Sequence, residues 1–329
     1  MRPIALALAL AAGCSSSADH STGPAGDDLA APEVADLAAP PGTDLAISPR
    51  ADLRGGTVDL AQGAAVGPHG GSVDRLFFAF HGDTRPDTPD DTASYPNDVI
   101  RAIYQREAVA GVQFAVDLGD HLNATVAKEA QAQMKLYAQA AALLGRPTFM
   151  TMGNHECTSK ALPCDPNDPD FAAYAAALAP VSPTPWYSVD VKTSSGLATF
   201  VFVADNAWGA AQAQWLDATL AKADAAAKYT FVMRHHPYGY AKLSVPDENA
   251  LIAKHKVTLR LTSHKHLYSR DPDDPSGRSV ILGCAGASLD PSQDYYGYGT
   301  VKQELDDTLT VTIFDEATDA PQDTFSVTP

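Results

Sequence analysis

Short apolar runs alternate with longer helical patterns from residue 72 to residue 329. Runs of about four to eight apolar, β-branched and aromatic residues are typical of buried strands. They predict strands at residues 76–80, 112–116, 146–152, 186–191, 198–204, 229–233, 257–262, 279–282, 300–304 and 308–314. Apolar residues that recur three and four positions apart predict helices at residues 97–110, 124–144, 171–178, 212–227 and 247–254. This alternation of strands and helices predicts an α/β sandwich.

The first 13 residues differ from the rest of the chain. One Arg precedes an apolar run over residues 4–12, which is far too short to span a bilayer and predicts a signal peptide at residues 1–13. Residues 10–14 resemble the bacterial lipobox, in which the Cys, here Cys14, becomes lipid-modified and N-terminal after cleavage. Ala11 stands where that motif usually has Leu. We expect a lipoprotein, and the alternative is ordinary secretion with a chance cysteine.

Residues 14–71 are rich in Ala, Pro, Gly and Asp and almost lack aromatic side chains. Asp-Leu pairs recur eight residues apart at Asp28, Asp36, Asp44 and Asp52. Each unit offers too little apolar surface to offset the entropy of ordering the chain. We interpret the segment as a disordered, lipid-anchored tether, with a partner-binding repeat as the alternative. The folded domain is predicted to occupy residues 72–329.

The chain is acidic, with a formal net charge of −17. This charge argues against a groove for duplex nucleic acid, because such a groove needs clustered Lys and Arg. It does not exclude a small phosphorylated substrate, since bound metal ions supply local positive charge. Hydrophobic residues make up 45% of the chain, which is enough for a substantial core.

Residue types that bind metals follow five of the predicted strands. The segments begin at His81, Gly119, Gly153, Arg234 and Ser263, and they read His-Gly-Asp-Thr-Arg, Gly-Asp-His-Leu-Asn, Gly-Asn-His-Glu, Arg-His-His-Pro and Ser-His-Lys-His. One Gly-Asp after a strand is usually a turn or a helix cap. Because ligands of open α/β sheets bind beyond the carboxyl ends of the strands, five such segments indicate one site.

His264 and His266 lie one residue apart after the strand-like run over residues 257–262. If the segment stays extended, residues i and i+2 point the same way, so both imidazoles would face one point. Pairs of imidazoles suit a transition metal. For this fragment alone, the alternative is two surface histidines in a loop.

The five segments, taken in order, resemble the motifs of the calcineurin-like metallophosphoesterase superfamily. The residues that carry the resemblance are Gly82-Asp83, Gly119-Asp120, Gly153-Asn154-His155-Glu156, His235-His236-Pro237 and His264-Lys265-His266. Stretches at residues 186–190, 214–216, 266–270 and 283–287 resemble the purple acid phosphatase branch and its bacterial relatives. The resemblance covers residues 76 to about 286 and implies a two-sheet β-sandwich flanked by helices. It also implies two metal ions and hydrolysis of phosphate monoesters or diesters by a metal-activated water.

The resemblance further implies roles for individual residues. The first metal would be bound by Asp83 and His266, with Asp120 bridging to the second metal. The second metal would also be bound by Asn154, His235 and His264. His155 would stabilise the phosphate and protonate the leaving oxygen, with a structural histidine as the alternative. These ligand types suit Fe, Zn and Mn alike.

Three positions depart from the family pattern. Arg85 stands where a metal-binding His is common, and an Arg pairs with a phosphate oxygen rather than with a cation, so we expect a catalytic contact there. Asn123 stands where members have a Tyr ligand or an Asp that orients the catalytic His; it would ligate weakly, donate to His155 or do neither. Ser263 replaces the usual Gly. Three flanking histidines are expected to serve local structure or substrate contact: His81, His121 and His236.

Cys157 and Cys164 enclose a short loop after the Gly-Asn-His-Glu segment. An exported domain permits a disulfide between them, which would stabilise the fold by about 2–3 kcal/mol on the chain-entropy estimate. A zinc site is the alternative, although the chain has no second Cys pair. Cys284 is predicted to be a buried, unpaired thiol.

These features together predict an exported, membrane-anchored phosphoesterase that takes a small phosphorylated substrate. Its contact with the membrane would be made only through the lipid on Cys14. The alternative from another class is a metal- or ligand-binding protein that has lost turnover through the changes at Arg85 and Asn123. A phosphodiesterase or nuclease is a second alternative, and the acidic charge disfavours long nucleic acids.

Overall fold

The computed structural model describes residues 65–157, 164–240 and 246–329. The strands of this part are β1 (Ala65–Gly67), β2 (Gly70–Ser72), β3 (Phe77–His81), β4 (Ala115–Asp117), β5 (Thr148–Met150), β6 (Tyr187–Thr193), β7 (Gly196–Phe202), β8 (Ala227–Met233), β9 (Leu259–Thr262), β10 (Tyr268–Arg270), β11 (Ser279–Leu282), β12 (Gly297–Gln303), β13 (Leu309–Asp315) and β14 (Pro321–Val327). The helices are α1 (Asn97–Ala110), α2 (Ala127–Ala141), α3 (Pro169–Leu178), α4 (Ala210–Ala226) and α5 (Pro246–Ile252), with 3-10 turns at Ala142–Leu144 and Asp205–Ala207.

The strands form two sheets. One sheet has the order β1-β2-β6-β7-β8-β9-β11-β10, and the other has the order β14-β13-β12-β3-β4-β5. Strands β3, β4 and β5 run parallel at the end of the second sheet, and β7, β8, β9 and β11 run parallel within the first. Parallel neighbours bring their carboxyl ends to one edge of a sheet, so each sheet presents one edge on which loops can build a site.

Edge-on and tilted aromatic rings join the two sheets. Phe78 of β3 lies 5.2 Å from both Phe200 of β7 and Phe231 of β8 by ring centroid, and Phe149 of β5 lies 5.9 Å from Phe202. Burying such a ring stabilises the fold by roughly 1.5–3 kcal/mol relative to exposure. The two-sheet sandwich predicted from the sequence is therefore confirmed.

Helices cover the outer faces of the sandwich. Val201 and Val232 alternate with the core phenylalanines along β7 and β8, and they pack with Leu216 and Leu220 of α4. Strands covered on both faces are apolar at successive positions, which is why their sequence reads as continuous apolar runs. On the other sheet, the Tyr174 hydroxyl of α3 donates to the Met150 carbonyl of β5.

The described domain begins earlier than the predicted boundary at residue 72. Residues 65–71, which the sequence pattern places in the tether, form the β1–β2 hairpin, and β2 pairs in parallel with β6. The hairpin buries Val66, and Val73 follows it into the core. The rest of the tether, the signal peptide and Cys14 lie outside the described residues.

Of the two alternatives for Cys157 and Cys164, the disulfide is found, with their Cα atoms 5.6 Å apart. Cys284 is a buried free thiol, as expected. Among the described residues, no helix is both long enough and apolar enough to cross a membrane.

Candidate active site

The five metal-capable segments follow β3, β4, β5, β8 and β9, and these strands belong to both sheets. The carboxyl edges of the two sheets meet at the segments. The ring of His235, after β8, donates from Nδ1 to the Leu118 carbonyl after β4 at 2.9 Å. The backbone N–H of His264, after β9, donates to Oδ2 of Asp83, after β3, at 2.7 Å. All five segments therefore line one site.

Four residues of the site have left-handed backbone conformations. The φ angles are 61° for Asp83, 61° for Asp120, 71° for His264 and 50° for His266. Non-glycine residues rarely adopt this region, and such strain clusters at functional sites. Strand β9 ends at Thr262, as predicted, and the segment after it does not stay extended, because both His264 and His266 have positive φ angles. As a result, the two imidazoles face different groups of ligand atoms.

One group of ligand atoms surrounds His235 Nε2. This atom lies 3.1 Å from Asn154 Oδ1, 3.1 Å from His264 Nδ1 and 3.3 Å from Asp120 Oδ2. Metal–ligand bonds of about 2.0–2.2 Å place neighbouring ligand atoms about 3.0–3.5 Å apart. The four residues, called here the second ligand set, therefore have the spacing of one coordination shell.

The tautomers of the second ligand set also suit a cation. Leu118 O and Ser263 Oγ both lie 2.9 Å from His235 Nδ1, which directs Nε2 into the site. Burial opposes a charge on His235, but the Asp120 carboxylate outweighs it and raises the pKa of His235 to about 10, so a metal bound there would displace the Nε2 proton. Burial, together with the neighbouring His235, lowers the pKa of His264 to about 2, so that ring is neutral. Several acceptor atoms thus converge, an arrangement that a transition metal stabilises. These residues fit the metal that the family resemblance implies.

The other group consists of Asp83, Asp120 and His266, which each offer one ligand atom within 4.8 Å of the others. We call these three residues the first ligand set, because the family resemblance assigns them to the first metal. His266 Nδ1 lies 2.7 Å from the Ser288 carbonyl, to which it donates, so Nε2 presents a lone pair. Asp83 Oδ1 is buried and accepts no hydrogen bond among the described residues, although His266 Nε2 lies 3.3 Å from it.

Arg85 lies against the first ligand set. Its Nε is 3.3 Å from Asp120 Oδ2, and its Nη2 is 3.3 Å from His266 Nε2. Nη1 donates to the Pro86 carbonyl at 3.1 Å. The guanidinium therefore contacts two of the three residues of this set.

Asn123 contacts His155 rather than either ligand set. Its amide nitrogen donates to the carbonyls of Pro86 at 3.1 Å and Asp87 at 2.9 Å, which orients the amide. The amide oxygen, 3.2 Å from His155 Nδ1, therefore accepts a hydrogen bond from that nitrogen. Of the three expectations for Asn123, the contact with His155 is found, with Asn123 as acceptor rather than donor. His155 then directs Nε2 toward the site, 3.9 Å from Asp120 Oδ2.

Glu156, to which the sequence pattern assigned no role, shapes the loops of the site. Its carboxylate accepts hydrogen bonds from the backbone N–H groups of Asp120 at 3.0 Å, His121 at 2.7 Å and Gly153 at 2.5 Å. A Cβ at Gly153 would lie 2.3 Å from Asp120 Oδ1, so the loops approach this closely only with glycine. The sequence feature that could have indicated this role is the Glu at the end of the Gly-Asn-His-Glu segment.

A fully buried chain of charged groups runs behind the site. The contacts in order are Glu107 to His81 at 2.8 Å, His81 to Asp117 at 3.5 Å, Asp117 to His121 at 3.1 Å and His121 to Glu156 at 3.1 Å. Burial disfavours charged imidazoles, but the adjacent carboxylates outweigh it and raise the pKa of both His81 and His121 to about 10. These two histidines are structural, as expected, and keep their rings away from the ligand sets.

His236 stands beside the second ligand set. Asp205 Oδ2 lies 2.7 Å from its Nδ1 and also accepts its backbone N–H at 3.0 Å. Its ring centroid is 4.4 Å from that of His264, and Tyr240 stacks at 4.8 Å. An open cavity of about 330 Å³ adjoins this corner and is lined by Tyr240, His264, Lys265, His266, Leu267, Ser288, Leu289 and Asp290. The site therefore has room for a small ligand.

Known structures share this architecture. A purple acid phosphatase from yellow lupin (Lupinus luteus) matches with a TM-score of 0.56 and 16% identity, over 77% of this chain and 54% of its own. The match thus spans about half of the lupin enzyme. GAP50, the anchor in the inner membrane complex of Plasmodium, matches with a TM-score of 0.55 and 15% identity, over 78% of this chain and 89% of its own. A dimetal phosphatase from Danio rerio matches with a TM-score of 0.52 and 13% identity, over 77% and 98%.

At these identities the structural matches show the fold alone. No curated protein matches the chain. The family model for calcineurin-like phosphoesterases matches residues 78–268, more than half of the chain and the part that carries all five segments. The chain belongs to the calcineurin-like phosphoesterases, a family of metal-dependent hydrolases of phosphoric esters.

Proposed function

We propose that this protein hydrolyses small phosphate esters at a metal centre built on the second ligand set. The observation that carries the proposal is the spacing of three ligand atoms around a fourth, His235 Nε2, at distances between 3.1 and 3.3 Å. A transition metal bound there, of Fe, Zn or Mn, would polarise a phosphoryl oxygen and supply hydroxide near neutral pH by lowering the pKa of water. The ligands from this chain would be Asp120, Asn154, His235 and His264.

His155 and Arg85 supply the contacts to the phosphate. Asn123 accepts the Nδ1 proton of His155, so Nε2 faces the substrate, where it donates to the phosphate and then to the leaving oxygen. Three of the five N–H donors of Arg85 have acceptors among the described residues. The remaining two N–H groups donate to phosphate oxygens, because the planar guanidinium matches the geometry of two such oxygens.

Hydrolysis is expected to depend on metal and to recover when metal returns. The full-length protein is stripped with a chelator, reloaded separately with Fe²⁺, Zn²⁺ or Mn²⁺, and assayed on a panel of phosphate monoesters and diesters. We expect one ester class to be hydrolysed only by reloaded protein. Equal turnover by the stripped protein would contradict the proposal.

The second candidate is a metal- or ligand-binding protein without turnover. It is favoured by the contact of Arg85 with Asp120 and His266, which occupies groups that the family uses for a metal. The same panel separates the two functions, because a binding protein takes up metal yet hydrolyses no ester. Duplex nucleic acid is not a proposed partner of either, given the net charge of −17.

The protein is proposed to be exported and held at the membrane by a lipid on Cys14. The Cys157–Cys164 disulfide supports export, because disulfides persist in oxidising compartments. The tether before the domain would keep the anchor apart from the site.

Cys14→Ser is expected to release the protein from the membrane fraction without changing kcat, since the lipid would be its membrane contact. Fractionation followed by immunoblotting measures the release, and Ser16→Ala serves as the matched control. Unchanged membrane association of Cys14→Ser would exclude the lipid anchor.

A further inference from the structure

The guanidinium of Arg85 lies where the family resemblance implies a metal. It is held between Asp120 Oδ2 and His266 Nε2, each at 3.3 Å, and the side chain is 11% exposed. The carbonyl of Pro86 binds its Nη1 at 3.1 Å. Three directional contacts therefore hold the group inside the first ligand set rather than in solvent.

The atoms that contact Arg85 are acceptors that need a cation. Asp120 brings a buried carboxylate, and His266 brings a lone pair on Nε2 because its Nδ1 donates to the Ser288 carbonyl. A guanidinium keeps its positive charge at every physiological pH and donates in a fixed plane. Arg85 can thus provide the positive charge that the family pattern assigns to an ion.

A metal ion would meet two obstacles in the first ligand set. It would have to displace N–H donors from Asp120 and His266, leaving only Asp83 Oδ1 free of a donor among the described residues. It would also sit beside the fixed positive charge of Arg85, and like charges at such short range repel strongly.

The first ligand set also lacks a replacement for the missing His and Tyr ligands. Asn123 directs its amide nitrogen to Pro86 and Asp87 and its oxygen to His155, so it does not reach the set. The carboxylate of Asp87 binds the backbone N–H and hydroxyl of Ser288. The first set therefore has three protein ligands, one of them shared, whereas the second has four.

We propose that the centre holds one metal ion, in the second ligand set, and that Arg85 is the permanent cation of the first. This inference rests on the proposed metal centre but not on turnover. It differs from the dinuclear centre that the sequence resemblance implies. In this arrangement Asp120 joins a metal to a guanidinium instead of joining two metals.

The test is the number of metal ions retained by full-length protein after loading with Mn²⁺ and dialysis, measured by elemental analysis. We expect about one per chain for the wild type and for Arg85→Lys, which keeps the charge. We expect about two for Arg85→His, because imidazole is a metal ligand and removes the competing charge. Arg106 is a partly exposed arginine of α1, so Arg106→His is the matched control and should retain about one metal ion per chain.

Electron paramagnetic resonance of the Mn²⁺ forms gives a readout independent of activity. The wild type should show the spectrum of isolated ions, and Arg85→His the spectrum of two coupled ions. If Arg85→His does not fold, Arg85→Ala opens the same set and should bind a second, weaker Mn²⁺. Two tightly held, coupled ions in the wild type would overturn this inference and leave the proposed function intact. No bound metal in any variant would overturn both.

Discussion

Asp120→Asn is expected to lose most of its bound metal and nearly all phosphoester hydrolysis. Asp120 is 1% exposed, and its Oδ2 lies 3.3 Å from both His235 Nε2 and Arg85 Nε. The change removes the only carboxylate of the second ligand set and keeps the side-chain volume. Residues that merely support a ligand cost 10–100-fold in metal affinity, so loss of a ligand should exceed about 100-fold.

The choice of Asn reflects the backbone at this position. The φ angle of Asp120 is 61°, a conformation that Asn tolerates and Ala resists. Asp120→Ala should lose the metal too, with some added strain. Asp319→Asn is the matched control, because Asp319 is exposed and has a φ of 58° in a distant turn. Metal content and kcat/KM measured together decide the outcome, and wild-type values in Asp120→Asn would refute the ligand assignment.

His155→Ala is expected to lower kcat by about 10²–10⁴-fold, the usual cost of losing acid–base help, and to leave the metal content nearly intact. The side chain of His155 is 26% exposed and is not part of either ligand set. Its backbone N–H, which donates to Asp120 Oδ1 at 2.9 Å, is retained in the variant. The loss should therefore appear in the chemical step rather than in metal binding.

The protonation of His155 depends on the substrate. Burial lowers its pKa, although Asp120 opposes this effect, so the free protein holds a neutral ring. A phosphate next to Nε2 favours the charged form, which is the form that donates. His69 is an exposed histidine in the β1–β2 hairpin, so His69→Ala is the matched control and should keep wild-type kinetics. Parallel losses of metal and rate in His155→Ala would instead make His155 a structural residue.

The local pattern of apolar residues was sufficient to predict the bounds of elements with strong apolar periodicity. Helix α1 spans Asn97–Ala110, the predicted range, because its apolar spacing is regular and Gly111 ends it with a φ of 82°. Strand β11, Ser279–Leu282, also has its predicted bounds because all four residues are buried. The family motifs likewise predicted the candidate ligand residues, since each follows a strand whose burial is visible in the sequence.

Four strands at or next to the sheet edges were not predicted because they carry little apolar signal. Strand β14, Pro321–Val327, is mostly exposed, and β1, β2 and β10 have only three residues each. Such strands are held by backbone pairing with a neighbouring strand, and for β2 that neighbour includes β6, which is distant in sequence. Side-chain periodicity does not record this pairing.

Sequence patterns also did not predict the buried chain of charged groups behind the site. Glu107 and Asp117 are charged residues that a sequence pattern assigns to solvent, yet both are 0% exposed. Their burial is stabilised because His81 lies between Glu107 and Asp117, and His121 lies between Asp117 and Glu156. These contacts exist only in the folded chain.

The sequence alone determined the family and the two-sheet architecture, and it predicted the ligand residues and their division between two metals, because these depend on residue types at fixed spacings. Only the tertiary structure decided where Arg85 reaches and which group Asn123 contacts. These features depend on distances between side chains from different sheets, such as the 3.3 Å from Arg85 Nη2 to His266 Nε2, 181 residues apart. Packing of the two sheets sets such distances, and no local periodicity encodes them.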